Sequence, residues 1–596
     1  MPEATGPAIR ALTRGQHLLQ PLIQRVERSP DQAMAAYREG NSFVDVAARD
    51  FYRRVRRLAK GLIASGIGAG DRVALMSATR FEWSLLDYAI LAAGAITVPV
   101  YETSAAEQVA WIVSNSGTKL LIVETPAMRQ LAEAAGQAPS CQEIVVIDEG
   151  LRSLENRGRD VDDAVVDERT AGIDVDQVAT IVYTSGTTGR PKGCAITHSN
   201  LRLNAMQNVD AVGPMLGNDE VLLLFLPMAH TLSKMVALVG MEWGAKLVFS
   251  SGISHLAEEL QLAKPTMVVA VPRVFEKVYN GAEHKAKADG KGSIFAHAAD
   301  TAIQWSQNHA SGHRGLLTAV EHVTFDPLVY RKLRAAFGGN LRFAFSGGGP
   351  LGERLTHFYN GIGVKIFEGY GLTETSPTLT INRSNAWKPG TVGRPLAGTT
   401  IRIADDGEIL AKGPQVFTGY WHNEEATAET FDADGWFRTG DIGELDDEGF
   451  LRITGRKKEI IVTAAGKNVA PAPLEDRLRA HPLISQAVVV GDNRPFVAVL
   501  IALDEQAIEQ WAGEHGLQAA TVDELLQRTD LRTTIQEAVD QANKSVSRAE
   551  SIRKFAILPR DLTIEAGELT PTLKVRRSMV EKAYAATIDQ LYRSDR

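Results

Sequence analysis

A regular alternation of short apolar runs with amphipathic stretches in the first third of the chain limits its fold most. DRVALMSA (residues 71–78) and AITVPVY (residues 95–101) are typical of strands, and FEWSLLDYAILAAG between them is typical of a helix. A second helical stretch ends at Gly117, and glycine favours a helix C-terminus. Strands that alternate with helices predict a mostly parallel sheet covered by helices. The alternation returns between residues 222 and 366, so we expect two doubly wound sheets.

The C-terminal third has a different pattern. Between about residues 386 and 453, Gly, Pro and short β runs predict a small β-barrel-like subdomain. After residue 456 the pattern is α+β, with SQAVVVGD and PFVAVLIAL as strands. We therefore predict an α/β N-terminal domain (residues 1–455) and a small mobile C-terminal domain (residues 456–596), with the hinge within residues 456–459. Residues 281–337 are helical and polar, and form either an inserted cap or a long crossover.

Length and charge restrict the class of protein. A chain of 596 residues exceeds the size at which one hydrophobic core keeps growing, so several domains are expected. A net charge of -8 and a pI near 6.0 argue against a nucleic-acid partner. The two cysteines, Cys141 and Cys194, are too few for a disulfide framework or a Cys-rich metal site.

No segment has the pattern of a membrane anchor. The N-terminus has no apolar region of the kind found in secretory signals. The longest apolar stretch, residues 221–249, is interrupted by charged or ionisable side chains at His230, Lys234, Glu242 and Lys246. The sequence predicts a cytoplasmic protein and leaves peripheral contact with the inner face of the membrane open.

A loop rich in Gly, Ser and Thr, YTSGTTGRPKG (residues 183–193), follows the strand-like ATIVY. Glycines allow close backbone approach, hydroxyls donate hydrogen bonds, and Lys192 supplies a compact positive charge, which together suit a polyphosphate. The loop is not a Walker A motif, because Pro191 and Gly193 flank Lys192. A surface turn is the alternative interpretation.

A second glycine cluster follows the strand-like LRFAFS. Gly347, Gly349 and Gly352 fit G-x-G-x-x-G, and Glu368 stands near the place of a ribose-binding acid. This pattern alone would indicate a dinucleotide-dependent dehydrogenase. Because Pro350 and Leu351 occupy the turn, we interpret SGGGP instead as backbone that lines one wall of a nucleotide pocket.

Five motifs in this order carry a family resemblance: YTSGTTGRPKG, GYGLTET (residues 369–375), DGWFRTGD (residues 434–441), TGRKKEIIV (residues 454–462) and LTPTLKVRR (residues 569–577). The chain resembles the adenylate-forming superfamily of acyl-CoA synthetases, peptide adenylation domains and luciferases. DGWFRTGDIGELDDEGFLRITGRKKEI and GKNVAPAPLE are similar to the bacterial long-chain acyl-CoA synthetase branch. The resemblance covers nearly the whole chain and implies activation of a fatty acid by ATP, followed by transfer to coenzyme A.

The resemblance assigns nucleotide contacts along these motifs. It implies that Tyr370 stacks on adenine and that Asp441 and Arg456 hold the ribose. The full set of expected ATP or AMP contacts is Thr184, Ser185, Gly186, Thr187, Thr188, Gly189, Lys192, Gly347, Gly348, Gly349, Glu368, Gly369, Tyr370, Gly371, Leu372, Thr373, Asp441, Ile453, Arg456 and Lys574.

The resemblance also assigns catalytic roles. Thr184 and Glu374 would share Mg²⁺, which prefers few protein oxygens together with phosphate and water. Lys574 would offset negative charge at the reacting phosphorus, and Lys458 would be the hinge. The loop Gly466, Lys467 and Asn468 would line a coenzyme A tunnel. As separate residues, these side chains would more often be solvated surface groups.

The acyl channel is assigned to His230, Trp243, Val271 and Arg273. His230 stands where the family places a histidine near the acyl group, and a buried structural histidine is an equal alternative. Thr231, Leu232 and Ser233 follow it, so the aromatic gate of some long-chain members is not expected here.

Two functional alternatives remain from the sequence. One is a ligase that loads fatty acids onto an acyl-carrier protein, and the other is a non-catalytic nucleotide or lipid binder on the same scaffold. The lack of an insert after GRKKEI favours coenzyme A, and the presence of Lys574, Glu374 and Asp441 favours catalysis.

Overall fold

The computed structural model describes residues 1–593 except 135, 137–139, 185–189, 218, 313, 314, 465, 518–520, 549, 571 and 572. Within these residues the chain forms a large α/β N-terminal domain and a smaller α+β C-terminal domain. This confirms the fold class expected from the sequence.

The strands of the N-terminal domain, in chain order, are β1 (Glu3–Thr5), β2 (Ala33–Glu39), β3 (Ser42–Ala47), β4 (Arg72–Met76), β5 (Ile96–Val100), β6 (Leu120–Val123), β7 (Glu143–Val146), β8 (Val178–Thr184), β9 (Lys192–Thr197), β10 (Val221–Leu224), β11 (Lys246–Phe249), β12 (Met267–Ala270), β13 (Phe343–Ser346), β14 (Lys365–Gly371), β15 (Thr378–Ile381), β16 (Arg394–Pro395), β17 (Thr400–Ile403), β18 (Glu408–Lys412), β19 (Gly419–Tyr420), β20 (Phe437–Leu445) and β21 (Leu451–Arg456).

Its helices are α1 (Gln20–Arg28), α2 (Ala48–Ala64), α3 (Phe81–Ala92), α4 (Ala106–Ser116), α5 (Pro126–Ala134), α6 (Arg152–Arg157), α7 (Asp163–Ala171), α8 (His198–Val212), α9 (Thr231–Trp243), α10 (Leu256–Ala263), α11 (Pro272–Ala288), α12 (Gly292–Ala310), α13 (Leu316–Phe325), α14 (Arg331–Ala336), α15 (Glu353–Gly361) and α16 (Glu424–Thr430).

Two large sheets carry the N-terminal domain. The first sheet has the strand order β19-β9-β8-β5-β4-β6-β7, and β4 to β8 run parallel. The second sheet has the order β16-β15-β14-β13-β12-β10-β11-β2-β3, with a parallel centre and antiparallel edges. The two sheets agree with the alternation of strands and helices in the sequence.

The main core lies between these sheets. Helix α3 contacts β5 of the first sheet and β2 of the second, and nearly all of its residues are buried. Helix α9 is buried in the same apolar cluster and contacts β10, β11 and α8. A helix that is apolar on most of its surface needs such a position, because each face must be removed from water.

A third, five-stranded antiparallel sheet has the order β1-β17-β18-β20-β21. It corresponds to the β-barrel-like subdomain expected from residues 386–453. Its edge strand comes from the other end of the chain, because Ala4 pairs with Ile401. This long-range pairing could not be predicted from the sequence, since a strand of three residues carries almost no periodicity.

Residues 272–336 form the crossover between parallel strands β12 and β13, so the crossover interpretation of residues 281–337 is the correct one. A π-helical turn, Asp326–Tyr330, joins α13 to α14. No helix in the described part of the chain is both long and apolar enough to cross a membrane.

The C-terminal domain follows the short helix Lys457–Glu459. Its elements are β22 (Ile461–Val462), β23 (Asn468–Val469), β24 (Ile484–Val490), β25 (Val497–Leu503), β26 (Ile552–Ile557), α17 (Ala472–Arg479), α18 (Glu505–Glu514), α19 (Val522–Leu526), α20 (Thr529–Asn543), α21 (Arg577–Ala583) and α22 (Ala585–Tyr592). Strands β24, β25 and β26 form a sheet, and β22 pairs with β23. Cys141 and Cys194 are both buried and form no disulfide.

Candidate active site

The Gly/Ser/Thr-rich loop connects the antiparallel strands β8 and β9, in which Thr184 pairs with Lys192. Both ends of the loop are fixed by α4. Trp111 Nε1 donates to the Pro191 carbonyl (2.9 Å), and the Tyr183 hydroxyl donates to Asn115 Oδ1 (2.6 Å). Of the predicted phosphate contacts, Ser185, Gly186, Thr187, Thr188 and Gly189 lie outside the described residues, and Thr184 and Lys192 mark the two ends of the loop.

Tyr420 links the two charged residues of this loop region. Its hydroxyl donates to Glu374 Oε1 (2.9 Å), and Lys192 Nζ lies 5.2 Å from the centre of its ring. Tyr420 thus orients the carboxylate and provides an aromatic surface for the ammonium group. Sequence reasoning missed Tyr420. The signal available was its place in GYWHNEEAT, an aromatic pair before a helix-capping Asn423.

Thr184 and Glu374 approach the same thiol. The Cys194 side chain, fully buried beneath them, interacts with both, and burial followed by the Glu374 charge raises its pKa well above the usual value. One hydroxyl and one carboxylate in proximity fit Mg²⁺, which takes its remaining ligands from phosphate and water. Among the described residues no cluster of three or more His, Cys, Asp or Glu side chains could hold a metal by itself.

The carboxyl ends of β13 and β14 form the next wall. A Cβ placed on Gly347 would lie 3.9 Å from the Gly369 carbonyl oxygen, so the two glycine segments are adjacent. Gly348 has φ = +82°, which favours glycine. A Cβ there would lie 3.7 Å from Val271 Cγ1 and 3.8 Å from Lys574 Cε. The structure thus brings residues from both domains to SGGGP, and Gly349 lies against Pro272.

GYGLTET continues from β14 into the short helix Thr373–Thr375. A Cβ on Gly371 would overlap the Pro377 carbonyl oxygen, so only glycine fits this close backbone approach. Leu372 precedes the helix and is partly buried, and its backbone N–H donates to the Thr375 hydroxyl (2.9 Å). The turn places Thr373 and Glu374 beside the loop region.

The Asp441 carboxylate accepts two side-chain hydrogen bonds. The Tyr370 hydroxyl donates to Oδ2 (2.7 Å), and Arg456 Nε donates to Oδ1 (2.8 Å). Asp441 and Arg456 pair across β20 and β21, and Ile453 lies on the same strand as Arg456. Burial, followed by the Asp441 charge, raises the pKa of Tyr370 well above its usual value. The predicted adenine and ribose contacts therefore form one cluster.

Glu368 is held by the protein itself. Its carboxylate accepts hydrogen bonds from the Leu351 backbone N–H (3.1 Å) and the Thr356 hydroxyl (3.0 Å), so its side chain connects β14 to α15. Burial raises its pKa. The contact of Glu368 with the nucleotide stays a prediction.

His230 precedes α9 and caps it, because its Nδ1 accepts from the Leu232 backbone N–H (3.1 Å). This bond leaves the Nε2 nitrogen as the donor of a neutral ring. Burial, followed by the Lys574 charge, lowers the pKa of His230 to about 3, so the ring is neutral at pH 7. His230 therefore lies near Lys574 and can donate one hydrogen bond from Nε2 without carrying charge.

One turn further along α9, Lys234 forms a buried ion pair. Its Nζ lies 2.8 Å from Asp87 Oδ1 of α3, and the two side chains are 2% and 6% exposed. It also lies 5.8 Å from the ring centre of Trp83. The pair joins the two helices of the central core next to His230.

The remaining predicted acyl-channel residues lie at different places. Val271 is beside Gly348, whereas Trp243 ends α9 and donates from Nε1 to the Gly217 carbonyl (3.0 Å). Trp243 lines a cavity of about 380 Å³ together with Met206 and Val209. A larger cavity of about 420 Å³, at Arg80 and Ile147, is lined by none of the predicted site residues.

Arg273 takes part in the contact between domains. Its guanidinium forms ion pairs with Glu276 (3.5 Å) and with Asp504 of the C-terminal domain (3.1 Å). The first turn of α11 faces α18, because Asp504 is the N-cap of that helix. A place for Arg273 in the acyl channel stays a prediction.

Lys574 reaches the site from the C-terminal domain. It keeps solvent-exposed surface, but desolvation, followed by the Arg456 charge, lowers its pKa. Lys458 lies within Lys457–Glu459, directly after the last strand of the N-terminal domain. In the predicted tunnel loop, Gly466 has φ = +75°, Lys467 Nζ pairs with Glu550 (3.3 Å) and Asn468 begins β23.

The fold defines a class, that of two-domain α/β proteins with a large N-terminal domain and a smaller C-terminal domain. The chain belongs to the AMP-binding enzyme family, whose family model matches residues 22–421. The model of the AMP-binding enzyme C-terminal domain matches residues 458–596. These matches confirm the resemblance to the adenylate-forming superfamily.

Named relatives are similar over the whole chain. Long-chain-fatty-acid–CoA ligase FadD15 of Mycobacterium bovis is 49% identical over 602 residues, which cover 100% of both chains, and FadD15 of Mycobacterium tuberculosis is equally similar. Human long-chain-fatty-acid–CoA ligase ACSBG1 is 28% identical over 96% of this chain and 85% of its own. The identity to FadD15 places the chain in the bacterial long-chain branch.

Solved structures show the same fold. The anthranilate CoA ligase AuaEII in complex with anthranoyl-AMP has a TM-score of 0.73 at 19% identity, covering 97% of this chain and 99% of that one. A Mycobacterium tuberculosis fatty acyl CoA synthetase has a TM-score of 0.61 at 24% identity, covering 96% and 99%.

Proposed function

We propose that this protein is a long-chain fatty acid–CoA ligase that converts a fatty acid, ATP and coenzyme A to acyl-CoA, AMP and pyrophosphate. The observation that carries the proposal is the position of Lys574, which comes from the C-terminal domain to Gly348 and His230. A mobile cation at a nucleotide site suits a step in which charge develops at phosphorus. The names of the relatives at 49% identity support the long-chain acid and coenzyme A as substrates.

In the first step, a carboxylate oxygen attacks the α-phosphorus of ATP, the bond to the bridging oxygen breaks, and pyrophosphate leaves. Lys192 holds the β and γ phosphates, and Asp441 with Arg456 holds the ribose. Lys574 offsets charge on the pentavalent phosphorus, and His230 Nε2–H donates to the carboxyl group. Mg²⁺ held by Thr184 and Glu374 would neutralise phosphate charge when bound.

In the second step, the coenzyme A thiol loses its proton and attacks the acyl carbon, and AMP leaves. For this step the C-terminal domain turns about Lys458, within the proposed boundary between residues 1–455 and 456–596, and Gly466, Lys467 and Asn468 face the site. Positioning of the two reactants can replace about 7–11 kcal/mol of the barrier. No protein nucleophile is required.

We assign the acyl chain to the space along α9, from His230 and Val271 towards the cavity at Trp243. Helix α9, which begins after His230 and ends at Trp243, has 13 residues and therefore offers a path of about 20 Å at 1.5 Å per residue. Trp243→Ala should extend the range of accepted acids towards longer chains. An unchanged chain-length profile would exclude Trp243 from the channel.

The half-reactions test the proposal directly. Lys574→Ala should slow acyl-adenylate formation by about 10²–10³ and spare thioester formation from preformed acyl-adenylate. Lys458→Pro should give the reverse result, because proline prevents the backbone change at the hinge. Equal damage to both half-reactions in both variants would contradict the roles proposed for these lysines.

Acceptor identity needs its own measurement. Product mass spectrometry with coenzyme A and with a holo acyl-carrier protein should show acyl-CoA alone. Acid-dependent pyrophosphate release without acyl-CoA would favour the carrier-protein ligase, and no release with any acid would leave only a binding function. A cytoplasmic location, with peripheral membrane contact, belongs to the same proposal.

A further inference from the structure

Helices α13 and α14, with the π-helical turn between them, form one continuous helix over residues 316–336 on the outside of the crossover. Its inward side is aromatic and aliphatic, because Tyr330 and Leu333 belong to a buried apolar cluster against which Phe325 and Val329 pack. His322 stacks on Trp305 with ring centres 4.4 Å apart, and the Tyr330 hydroxyl donates to the Ala298 carbonyl (2.7 Å). These contacts fix the rotation of the helix about its axis.

The opposite side of this helix is apolar and faces solvent. The exposed fractions are 82% for Leu316, 83% for Leu317, 68% for Val320, 71% for Val323 and 53% for Leu328. We call these five residues the apolar stripe. No residue of α13 is buried, so the helix contributes its large aliphatic side chains to no core. Contiguous exposed aliphatic surface of this kind marks an interaction site.

Basic residues continue the stripe at its C-terminal end. Arg331 and Lys332 are exposed on the same helix, one turn after Leu328. Exposed Lys291 precedes the neighbouring helix α12, whose His297 lies 3.8 Å from Glu321 of α13. The acidic side chains of this helix are Glu321 and Asp326. Because Asp326 is paired with Arg334 (2.8 Å), the C-terminal end of the stripe keeps the positive charge of Arg331 and Lys332.

We propose that the apolar stripe docks on an anionic lipid bilayer, with α13 lying in the interface and Arg331 and Lys332 contacting headgroup phosphates. An interfacial helix combines an apolar face with basic residues in this way. Self-association fits less well, because a stable dimer buries about 800 Å² on each partner and five side chains of one helix supply less.

Membrane docking extends the proposed function, because long-chain acids dissolve in bilayers and docking would bring the enzyme to its substrate. Only this benefit rests on the proposed function. The evidence for the docking surface is the exposure and charge of its residues. Vesicle binding can therefore be measured without ATP, coenzyme A or fatty acid.

The test is co-sedimentation with phosphatidylcholine vesicles that either contain or lack phosphatidylglycerol. The wild-type protein should bind the anionic vesicles more strongly than the neutral ones. Val320→Asp should weaken binding to both, and the double variant R331E/K332E should weaken binding to anionic vesicles by about tenfold or more. Ala164→Asp, which adds the same charge to exposed helix α7, is the matched control and should bind like the wild type.

Wild-type protein that fails to sediment with anionic vesicles would overturn the proposal, as would V320D and R331E/K332E proteins that both bind normally. A wild-type dimer that V320D converts to a monomer would identify the stripe as a self-interface and would also overturn it. Ligase turnover without vesicles should be normal in all variants. Loss of vesicle binding with intact turnover separates this surface from the proposed activity.

Discussion

The Tyr370 hydroxyl and Arg456 Nε donate to the two different carboxylate oxygens of Asp441, at 2.7 and 2.8 Å. This arrangement holds the carboxylate in place before a nucleotide binds. Tyr370→Phe removes one donor and keeps the ring. Because hydrogen bonds to charged groups contribute about 1.5–3 kcal/mol, we expect the KM for ATP to rise by about 10- to 100-fold. Steady-state kinetics should show an unchanged KM for the fatty acid, and a change in that KM alone would contradict a role at the nucleotide.

Tyr420 combines two contacts that substitutions can separate. Tyr420→Phe keeps the aromatic surface below Lys192 and loses the hydrogen bond to Glu374, whereas Tyr420→Ala loses both. We expect the KM for ATP to rise in both variants and to rise more in Tyr420→Ala, because the ring–ammonium contact adds about 0.5–2 kcal/mol. Equal KM values in the two variants would assign no binding role to the ring.

The lowered pKa of Lys574 predicts a pH dependence of acyl-adenylate formation. Its pKa is lowered, chiefly by desolvation and then by Arg456, and the proposed step needs the charged ammonium. A lysine with a lowered pKa loses its proton earlier as the pH rises, so acyl-adenylate formation should decline at a lower alkaline pH than for an ordinary lysine. Lys574→Arg keeps the charge throughout this range. In that variant the alkaline decline in acyl-adenylate formation, measured as pyrophosphate release, should disappear. A decline that persists would mean that another group causes it.

The ion pair of Asp87 and Lys234 makes a prediction about stability. Removal of one partner leaves an uncompensated charge in the core, which costs about 3–5 kcal/mol. Lys234→Met should therefore lower the free energy of unfolding by that amount in guanidinium titrations. The double variant D87L/K234M should recover most of the loss, because it leaves no buried charge. A double variant as unstable as the single one would show that packing, rather than charge, determines the effect.

Asp476 connects pH to the contact between domains. Burial, followed by Glu475 and by Glu276 of the N-terminal domain, raises its pKa to about 7, although Arg479 opposes the shift. An environment that raises the pKa of a carboxyl group stabilises the protonated form of that group. The closed contact between the domains is therefore favoured while Asp476 is protonated, and it loses stability as the pH rises towards 7 and Asp476 ionises. Closed domains should therefore be more populated at pH 6 than at pH 8.

Small-angle X-ray scattering can measure this difference as a larger radius of gyration at pH 8. Asp476→Asn should remove the dependence, because the amide does not ionise. Glu505→Gln, on an exposed position of α18, is a matched control that should keep it. A variant D476N with the wild-type pH dependence would contradict the assignment.

Patterns in the sequence alone predicted the phosphate loop, the order of the five motifs and the alternation of strands and helices. These are local properties: glycines and hydroxyls within one loop, or apolar periodicity within one element. The positions of Gly347, Tyr370, Asp441 and Lys574 in the sequence were enough to predict a nucleotide site, and the family match agrees with that class of protein.

The directions of individual side chains depend on the packing of whole elements and could not be predicted from these patterns. Glu368 and Arg273 have suitable chemistry, but one fastens α15 and the other joins the two domains. Tyr420 lies in the site through its hydrogen bond to Glu374, and β1 at the N-terminus pairs with the strand that contains Ile401. Such contacts join residues far apart in sequence, and their direction depends on the packing of whole elements. The exposure of the apolar stripe likewise depends on tertiary contacts, because the packing of His322 on Trp305 sets the rotation of the helix and turns the stripe towards solvent.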